Sequence, residues 1–111
     1  MRKAVLLHGT DGILGEHWFG WLHDWLKAHN YKVFEPQLPN CHTPNRQEYH
    51  HFLLSQGWDF TDNLLVGHSS GATTVLNLLQ SDDIPVVEMA ILVGTFLNER
   101  LTIGTNQYEP G

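Results

Sequence analysis

The segment of residues 64–79, LLVGHSSGATTVLNLL, constrains the fold of this chain more than any other feature. It begins with a short apolar run, which is typical of a strand buried on both faces, and continues as a helix-forming pattern. Between the two lies Gly67-His68-Ser69-Ser70-Gly71, a GxSxG sequence in a strand-to-helix context. A strand that turns directly into a helix presses together the residues two positions before and after Ser69. Only very small residues fit there, and Gly67 and Gly71 meet that requirement.

The rest of the chain repeats this alternation of strand and helix. Short apolar runs predict strands over residues 4–7, 31–34, 64–66 and 89–93, and helical spacing predicts helices over residues 16–30, 46–56 and 70–80. Three prolines make residues 36–44 a loop. The order βαβαβαβ predicts an α/β fold, a three-layer sandwich with a mainly parallel sheet and right-handed crossovers. In the first helix, the spacing of Trp18, Trp21 and Trp25 predicts that their side chains belong to the core.

The C-terminal part of the sequence bears on the extent of the domain. Residues 98–111 are polar and show no period, so we expect an irregular tail there. The predicted strand at residues 89–93 is apolar throughout, and nothing after it is suited to cover its free edge, which complete proteins avoid. We therefore expect residues 1–111 to be the N-terminal part of a single domain whose sheet is truncated after the fourth strand.

Composition limits the classes of partner. The 111 residues are 41% hydrophobic and 16% charged, which predicts one small folded domain, and the net charge of -6 disfavours nucleic acid and membrane surfaces as partners. A solitary cysteine, Cys41, and an N-terminus without a signal-peptide pattern predict a cytoplasmic location. The eight histidines show no zinc-binding spacing, so neither a metal nor another cofactor is predicted, and the oligomeric state stays open.

The GxSxG segment predicts catalysis by a serine. Ser69 is the candidate nucleophile, and the N–H of Ser70, at the start of the helix, is the expected first donor to the oxyanion. The loop His8-Gly9-Thr10 follows the first strand, and from it the N–H of Thr10 is the expected second donor. The plainer alternatives are that Ser69 only caps the helix and that the glycines of the first loop only turn the chain.

Four segments together carry a resemblance to a known family. HGTDG, EHWFGWLHDWL, YKVFEPQLP and LLVGHSSGATT, within residues 3–97, resemble the small serine hydrolases related to retinoblastoma-binding protein 9, in the α/β-hydrolase superfamily. The resemblance implies Ser69 as the nucleophile, and the chemistry implies a small-molecule ester or similar acyl substrate. Family members carry an Asp and a His in later strands. Here the last histidine is His68, and the only aspartates after Ser69 are Asp82 and Asp83.

Without a base to accept its proton, a serine hydroxyl is a weak nucleophile, so this chain is expected to be weakly active or inactive. His8 is one alternative base, because its strand and that of Ser69 share a sheet edge. A second hypothesis is an NAD(P)-binding Rossmann-type oxidoreductase, which would use the GxxGxxG loop at Gly9–Gly15 with Glu35 as the ribose-binding acid. A third is a non-catalytic binding fragment.

Overall fold

A computed structural model of the chain describes residues 2–10, 12 and 18–94. Strands and helices alternate along these residues in the order β1 (Arg2–Leu7), α1 (Trp18–Ala28), β2 (Tyr31–Phe34), α2 (Arg46–Ser55), β3 (Asn63–His68), α3 (Ser70–Gln80) and β4 (Met89–Val93). All strand pairs are parallel, and the strand order across the sheet is β2-β1-β3-β4. The predicted parallel α/β architecture is confirmed.

The side chains of β1 show how the three layers form. Val5 and Leu7 are buried in an apolar cluster with residues of α2 and α3, whereas Ala4 and Leu6 are buried in a second cluster with residues of α1. Successive side chains of a strand point to opposite faces, so a strand covered on both sides has to be apolar at every position. The run AVLL meets this requirement and places α1 on one face of the sheet and the other two helices on the opposite face.

The strand order creates a crevice at the carboxyl edge of the sheet. From β1 the chain passes through α1 to β2 on one side, and from β3 it passes through α3 to β4 on the other side. The connections that leave the two central strands therefore diverge over opposite faces. Leu7 and Gly67 are paired in register, so both connections start at the same height. Open α/β sheets bind their ligands at such a switch point.

The helix α1 lies where the sequence predicts it, but its tryptophans are not the core residues. Phe19 and Leu26 are buried, whereas 66% of Trp21 and 43% of Trp25 is exposed, and the Trp25 ring stacks on His29 at 3.8 Å. The prediction that the tryptophan series belongs to the core is therefore wrong for these two residues. Apolar side chains occupy about half of the circumference of this helix, which is wider than the part that faces the sheet, so spacing alone does not decide which apolar residues are buried.

The strand β4 forms one edge of the sheet within the described residues. Met89, Ile91, Leu92 and Val93 are all exposed there. Residues 95–111 lie outside the described part of the chain, so the irregular tail at 98–111 and the expected end of the sheet stay predictions. None of the helices in the part of the chain that the structure describes is long and apolar enough to cross a membrane.

Candidate active site

Ser69 connects the sheet directly to a helix. Its N–H donates to the carbonyl of Val93 at 2.8 Å, which continues the ladder of β4, and its own carbonyl accepts from Ala72 and Thr73 at 3.0 and 3.3 Å, which starts α3. One residue therefore performs the whole turn, at φ 58° and ψ -120°. A non-glycine residue at such angles costs on the order of 1–3 kcal/mol, and such strain is concentrated at functional sites.

The flanking glycines explain how this turn is accommodated. A Cβ atom at Gly67 would lie 2.5 Å from the carbonyl oxygen of Gly71, and one at Gly71 would overlap the carbonyl oxygens of Leu7 and His8. The obstructing atoms all belong to the backbone and cannot rotate away. The first turn of α3 therefore lies directly against the end of β1. This close approach is possible because Gly67 and Gly71 have no side chain.

The hydroxyl of Ser69 does not serve as a helix cap. The side chain makes no capping hydrogen bond to the N-terminus of α3. Ser69 instead lines a cleft of about 150 Å³ at the carboxyl edge of the sheet, together with the first loop and the rings of Trp18, Phe19 and His68. The geometry therefore does not favour the interpretation of Ser69 as a simple cap.

The first loop forms a turn that touches Ser69. The N–H of Gly12 donates to the carbonyl of Gly9 at 2.9 Å, and a Cβ atom at Gly9 would lie 3.1 Å from the Cβ of Ser69. The hydroxyl of Thr10 donates to the hydroxyl of Ser70 at 3.1 Å, and Ser70 is fully buried. Thr10 and Ser70, which sequence reasoning named as oxyanion donors, thus lie together beside Ser69.

His8 is buried under this loop with both ring nitrogens occupied. Nδ1 lies 2.8 Å from the carbonyl oxygen of Gly9, and Nε2 lies 2.9 Å from the backbone nitrogen of Leu38. A carbonyl only accepts and an N–H only donates, so Nδ1 carries the proton and Nε2 accepts. Neither nitrogen is free to take a proton from Ser69, and this hydrogen bonding contradicts the hypothesis that His8 is the base.

His68 immediately precedes Ser69, but its ring belongs to an aromatic cluster. It packs edge-on against Trp18 and Phe19, with ring centroids 6.0 and 6.4 Å apart. Sequence reasoning did not identify this aromatic wall of the cleft, because the two rings come from α1 and only the crossover connection brings them to the end of β3. The signal available was the position of Trp18 and Phe19 at the start of the first helix.

The structure does not favour the dinucleotide hypothesis. The Glu35 carboxylate lies 2.6 Å from Nδ1 of His23, and only 4% of the Glu35 side chain is exposed, so it is not open to a ribose. A Cβ at Gly12 would lie 2.6 Å from Nδ1 of His8, while Gly9 lies against Ser69. These glycines allow close packing within the protein. Gly15 lies outside the described residues.

Among the residues that the structure describes, two carboxyl groups have clearly shifted pKa values, and both lie away from the cleft. A hydrogen bond from Lys3, with a further one from the Thr61 N–H, holds the pKa of Asp59 well below its usual range. A hydrogen bond from His50 likewise lowers the pKa of Asp83. Asp59 precedes β3 and Asp83 follows α3, which places both near the amino edge of the sheet. They therefore lie at the edge of the sheet opposite to Ser69. Within the described ranges, no three His, Cys, Asp or Glu side chains cluster as metal ligands would.

A parallel α/β sheet that carries a serine on a strained strand-to-helix turn at its carboxyl edge is typical of α/β-hydrolase-like proteins. The sequence model of a family described as "Serine hydrolase" matches residues 4–108, and the chain belongs to this family. A search of curated proteins found no significant match. The narrower resemblance to relatives of retinoblastoma-binding protein 9 stays a prediction.

Proposed function

We propose that Ser69 is the nucleophile of a hydrolase that cleaves an ester or a similar acyl compound through an acyl-enzyme intermediate. The observation that carries the proposal is the strained backbone of Ser69, at φ 58° and ψ -120°. The Ser69 side chain makes no capping hydrogen bond and lines the cleft. A serine that only connected a strand to a helix would gain nothing from such strain, whereas a nucleophile gains exposure above the sheet.

The oxyanion formed by attack of the Ser69 hydroxyl on a carbonyl would accept from the N–H groups of Ser70 and Thr10. Ser70 is the first residue of α3, so its N–H has no acceptor within the helix and lies at the positive end of the helix dipole. The link from the Thr10 hydroxyl to Ser70 supports the choice of the second donor, because it holds the first loop beside the helix N-terminus. Each such donor is worth about a hundredfold to a thousandfold in rate.

A base for Ser69 is not found among the described residues. His8 uses both ring nitrogens elsewhere, and the His68 ring packs edge-on against Trp18 and Phe19. In the best-studied serine hydrolase, loss of the base costs about a millionfold in kcat, while the oxyanion donors and substrate binding alone keep about 10³–10⁴ over the reaction in water. We therefore propose slow but serine-dependent turnover for this chain.

The cleft favours a compact acyl group. The part of the cleft that the described residues form has a volume of about 150 Å³, which is below the roughly 300–1,000 Å³ of pockets for larger ligands. The aromatic rings of Trp18 and Phe19 on one side offer an apolar surface to the acyl chain. Activated esters of short acids are accordingly the substrates of choice for a first assay.

The test is hydrolysis of p-nitrophenyl acetate by the full chain, compared with the Ser69→Ala and Ser55→Ala variants. Ser55 is an exposed serine at the end of α2 and controls for the substitution itself. We expect turnover above the buffer rate that disappears in Ser69→Ala and persists in Ser55→Ala. Equal rates for the wild type and Ser69→Ala would refute the proposal.

A further inference from the structure

We propose that His8 is a positioning residue that aims the N–H of Thr10 at the oxyanion, an inference that rests on the proposed function of Ser69. His8 is only 2% exposed, although it is polar and adjoins the cleft. Both of its ring nitrogens are satisfied by backbone groups of two different loops. It is therefore a link between loops and not a reacting group.

The first loop is folded around the imidazole ring. Nδ1–H donates to the carbonyl of Gly9, and that same carbonyl accepts from the N–H of Gly12. A Cβ at Gly12 would lie 2.6 Å from Nδ1 and 2.9 Å from the Cβ of His8, so glycine is required for the loop to close on the ring. Thr10 lies inside this turn, and the direction of its N–H is fixed by the turn.

The other side of the ring is anchored to the core. Nε2 accepts from the N–H of Leu38, whose side chain is buried in the apolar cluster on the α2 and α3 face of the sheet. The neighbouring Gln37 side-chain amide donates to the carbonyl of Gly12 at 2.9 Å, which closes a second link between the same two loops. The turn that carries Thr10 is thus held by His8 and Gln37 against a loop that is anchored in the core through Leu38.

The consequence is an asymmetry between the two oxyanion donors. The N–H of Ser70 is positioned by the backbone of α3, and the contact of Ser70 with Thr10 runs through their side-chain hydroxyls. The N–H of Thr10 instead lies in the turn that the His8 ring holds. An oxyanion donor acts at about 2.7–3.1 Å, and a misplacement of about 1 Å costs on the order of a hundredfold in rate. Loss of either His8 hydrogen bond should therefore weaken the Thr10 contact and leave the Ser70 contact intact.

The test uses a fluorophosphonate. Attack by the Ser69 hydroxyl forms an oxygen–phosphorus bond, fluoride leaves, the proton passes to solvent, and the phosphoryl oxygen of the adduct takes the place of the oxyanion. In the wild-type adduct we expect downfield shifts of the amide protons of both Thr10 and Ser70 in ¹H–¹⁵N spectra. His8→Asn keeps a donor at the position of Nδ1, and His8→Gln keeps an acceptor at the position of Nε2, so each variant breaks one of the two links.

For both His8 variants we expect labelling that is about 10- to 100-fold slower, a reduced shift for Thr10 and an unchanged shift for Ser70. His51→Gln makes the same chemical change at an exposed position of α2 and should behave as the wild type. Gln37→Met removes the hydrogen bond to the Gly12 carbonyl together with the longer contacts of the Gln37 amide to Nε2 of His8 at 3.3 Å and to Sγ of Cys41 at 3.5 Å. It keeps both hydrogen bonds from the His8 ring to the backbone and should produce the same asymmetry to a smaller extent. If the His8 variants do not fold, the Thr10 and Ser70 amide shifts of the Gln37→Met adduct test the positioning role instead.

The outcomes separate the two proposals. If the wild-type protein is not labelled at Ser69, the proposed function fails, and the role of His8 falls with it. If Ser69 is labelled but Thr10 shifts as much in the variants as in the wild type, the positioning role alone is overturned. Equal loss of the Thr10 and Ser70 shifts would also overturn it, because His8 would then support the whole site without preference.

Discussion

Substitution of Gly71 by alanine tests the packing that holds the strained turn. The added Cβ would overlap the carbonyl oxygens of Leu7 and His8, both of which are backbone atoms at the end of the central strand β1. Overpacking in a close-packed interior typically costs about 1–3 kcal/mol of stability. Because the obstructing atoms at Gly71 belong to the backbone and cannot rotate away, we expect Gly71→Ala to cost about 3 kcal/mol or more. Since small domains have about 5–15 kcal/mol of stability in total, the loss should be large.

Gly57→Ala is the matched control. Gly57 has φ +74°, so alanine is strained there, but no atom lies within 4 Å of the added Cβ. Its cost is therefore limited to about 1 kcal/mol of backbone strain. The difference between the two variants is then about 2 kcal/mol, which at a slope of about 2 kcal/mol per molar urea corresponds to about 1 M between their unfolding midpoints.

The assay is urea unfolding followed by tryptophan fluorescence, with wild type, Gly71→Ala and Gly57→Ala measured side by side. Failure of Gly71→Ala to fold would agree with the expected cost. A Gly71→Ala midpoint equal to or above that of Gly57→Ala would refute the reasoning, because the helix would then not lie against the end of β1 as the structure has it.

Three further predictions concern stability. Ser69→Gly should raise the free energy of unfolding by about 1 kcal/mol in urea melts, because glycine relieves the backbone strain at some cost in entropy; an unchanged or lower value would contradict the strain at this residue. Phe19→Ala should cost about 3–5 kcal/mol and Trp21→Ala within about 0.5 kcal/mol, and the reverse order in thermal melts would reject the orientation of α1. The Lys3 hydrogen bond lowers the pKa of Asp59 in the folded state. The ionised Asp59 therefore stabilises the folded protein above the carboxyl's ordinary pKa of about 3.9, and this stabilisation is lost as pH falls through the pKa of Asp59 in the folded protein. Asp59→Asn should therefore lower the urea midpoint near pH 6, and the difference should shrink towards about pH 2; a difference independent of pH would rule out this account.

Much of the fold followed from local patterns. The bounds of β2, α3 and β4 agree with the sequence prediction, because apolar runs and helical spacing there are interrupted sharply by turn residues. The β3 strand extends beyond the predicted residues 64–66 at both ends, to Asn63 and His68. Its ends are polar and glycine residues, which local pattern assigns to loops, and only pairing with neighbouring strands makes them part of the ladder.

The sequence pattern identified the candidate nucleophile, but it did not predict the contacts between segments that lie far apart along the chain. The GxSxG string and its context pointed to Ser69 without any knowledge of the sheet order. The role of His8 was not predictable, because its partner Leu38 lies 30 residues away in a proline-rich loop that has no periodic pattern. The same holds for the rings of Trp18 and Phe19 beside His68. Such contacts depend on crossover geometry, and a sequence pattern records only one element at a time.

The central claim is that Ser69 is a nucleophile. Its most direct test is mass spectrometry of the full chain after treatment with a fluorophosphonate, with proteolytic mapping of the adduct and Ser69→Ala as the control. The account predicts one adduct per chain, on the peptide that contains Ser69, and none in Ser69→Ala. An adduct on another residue, or equal labelling of Ser69→Ala, would contradict it.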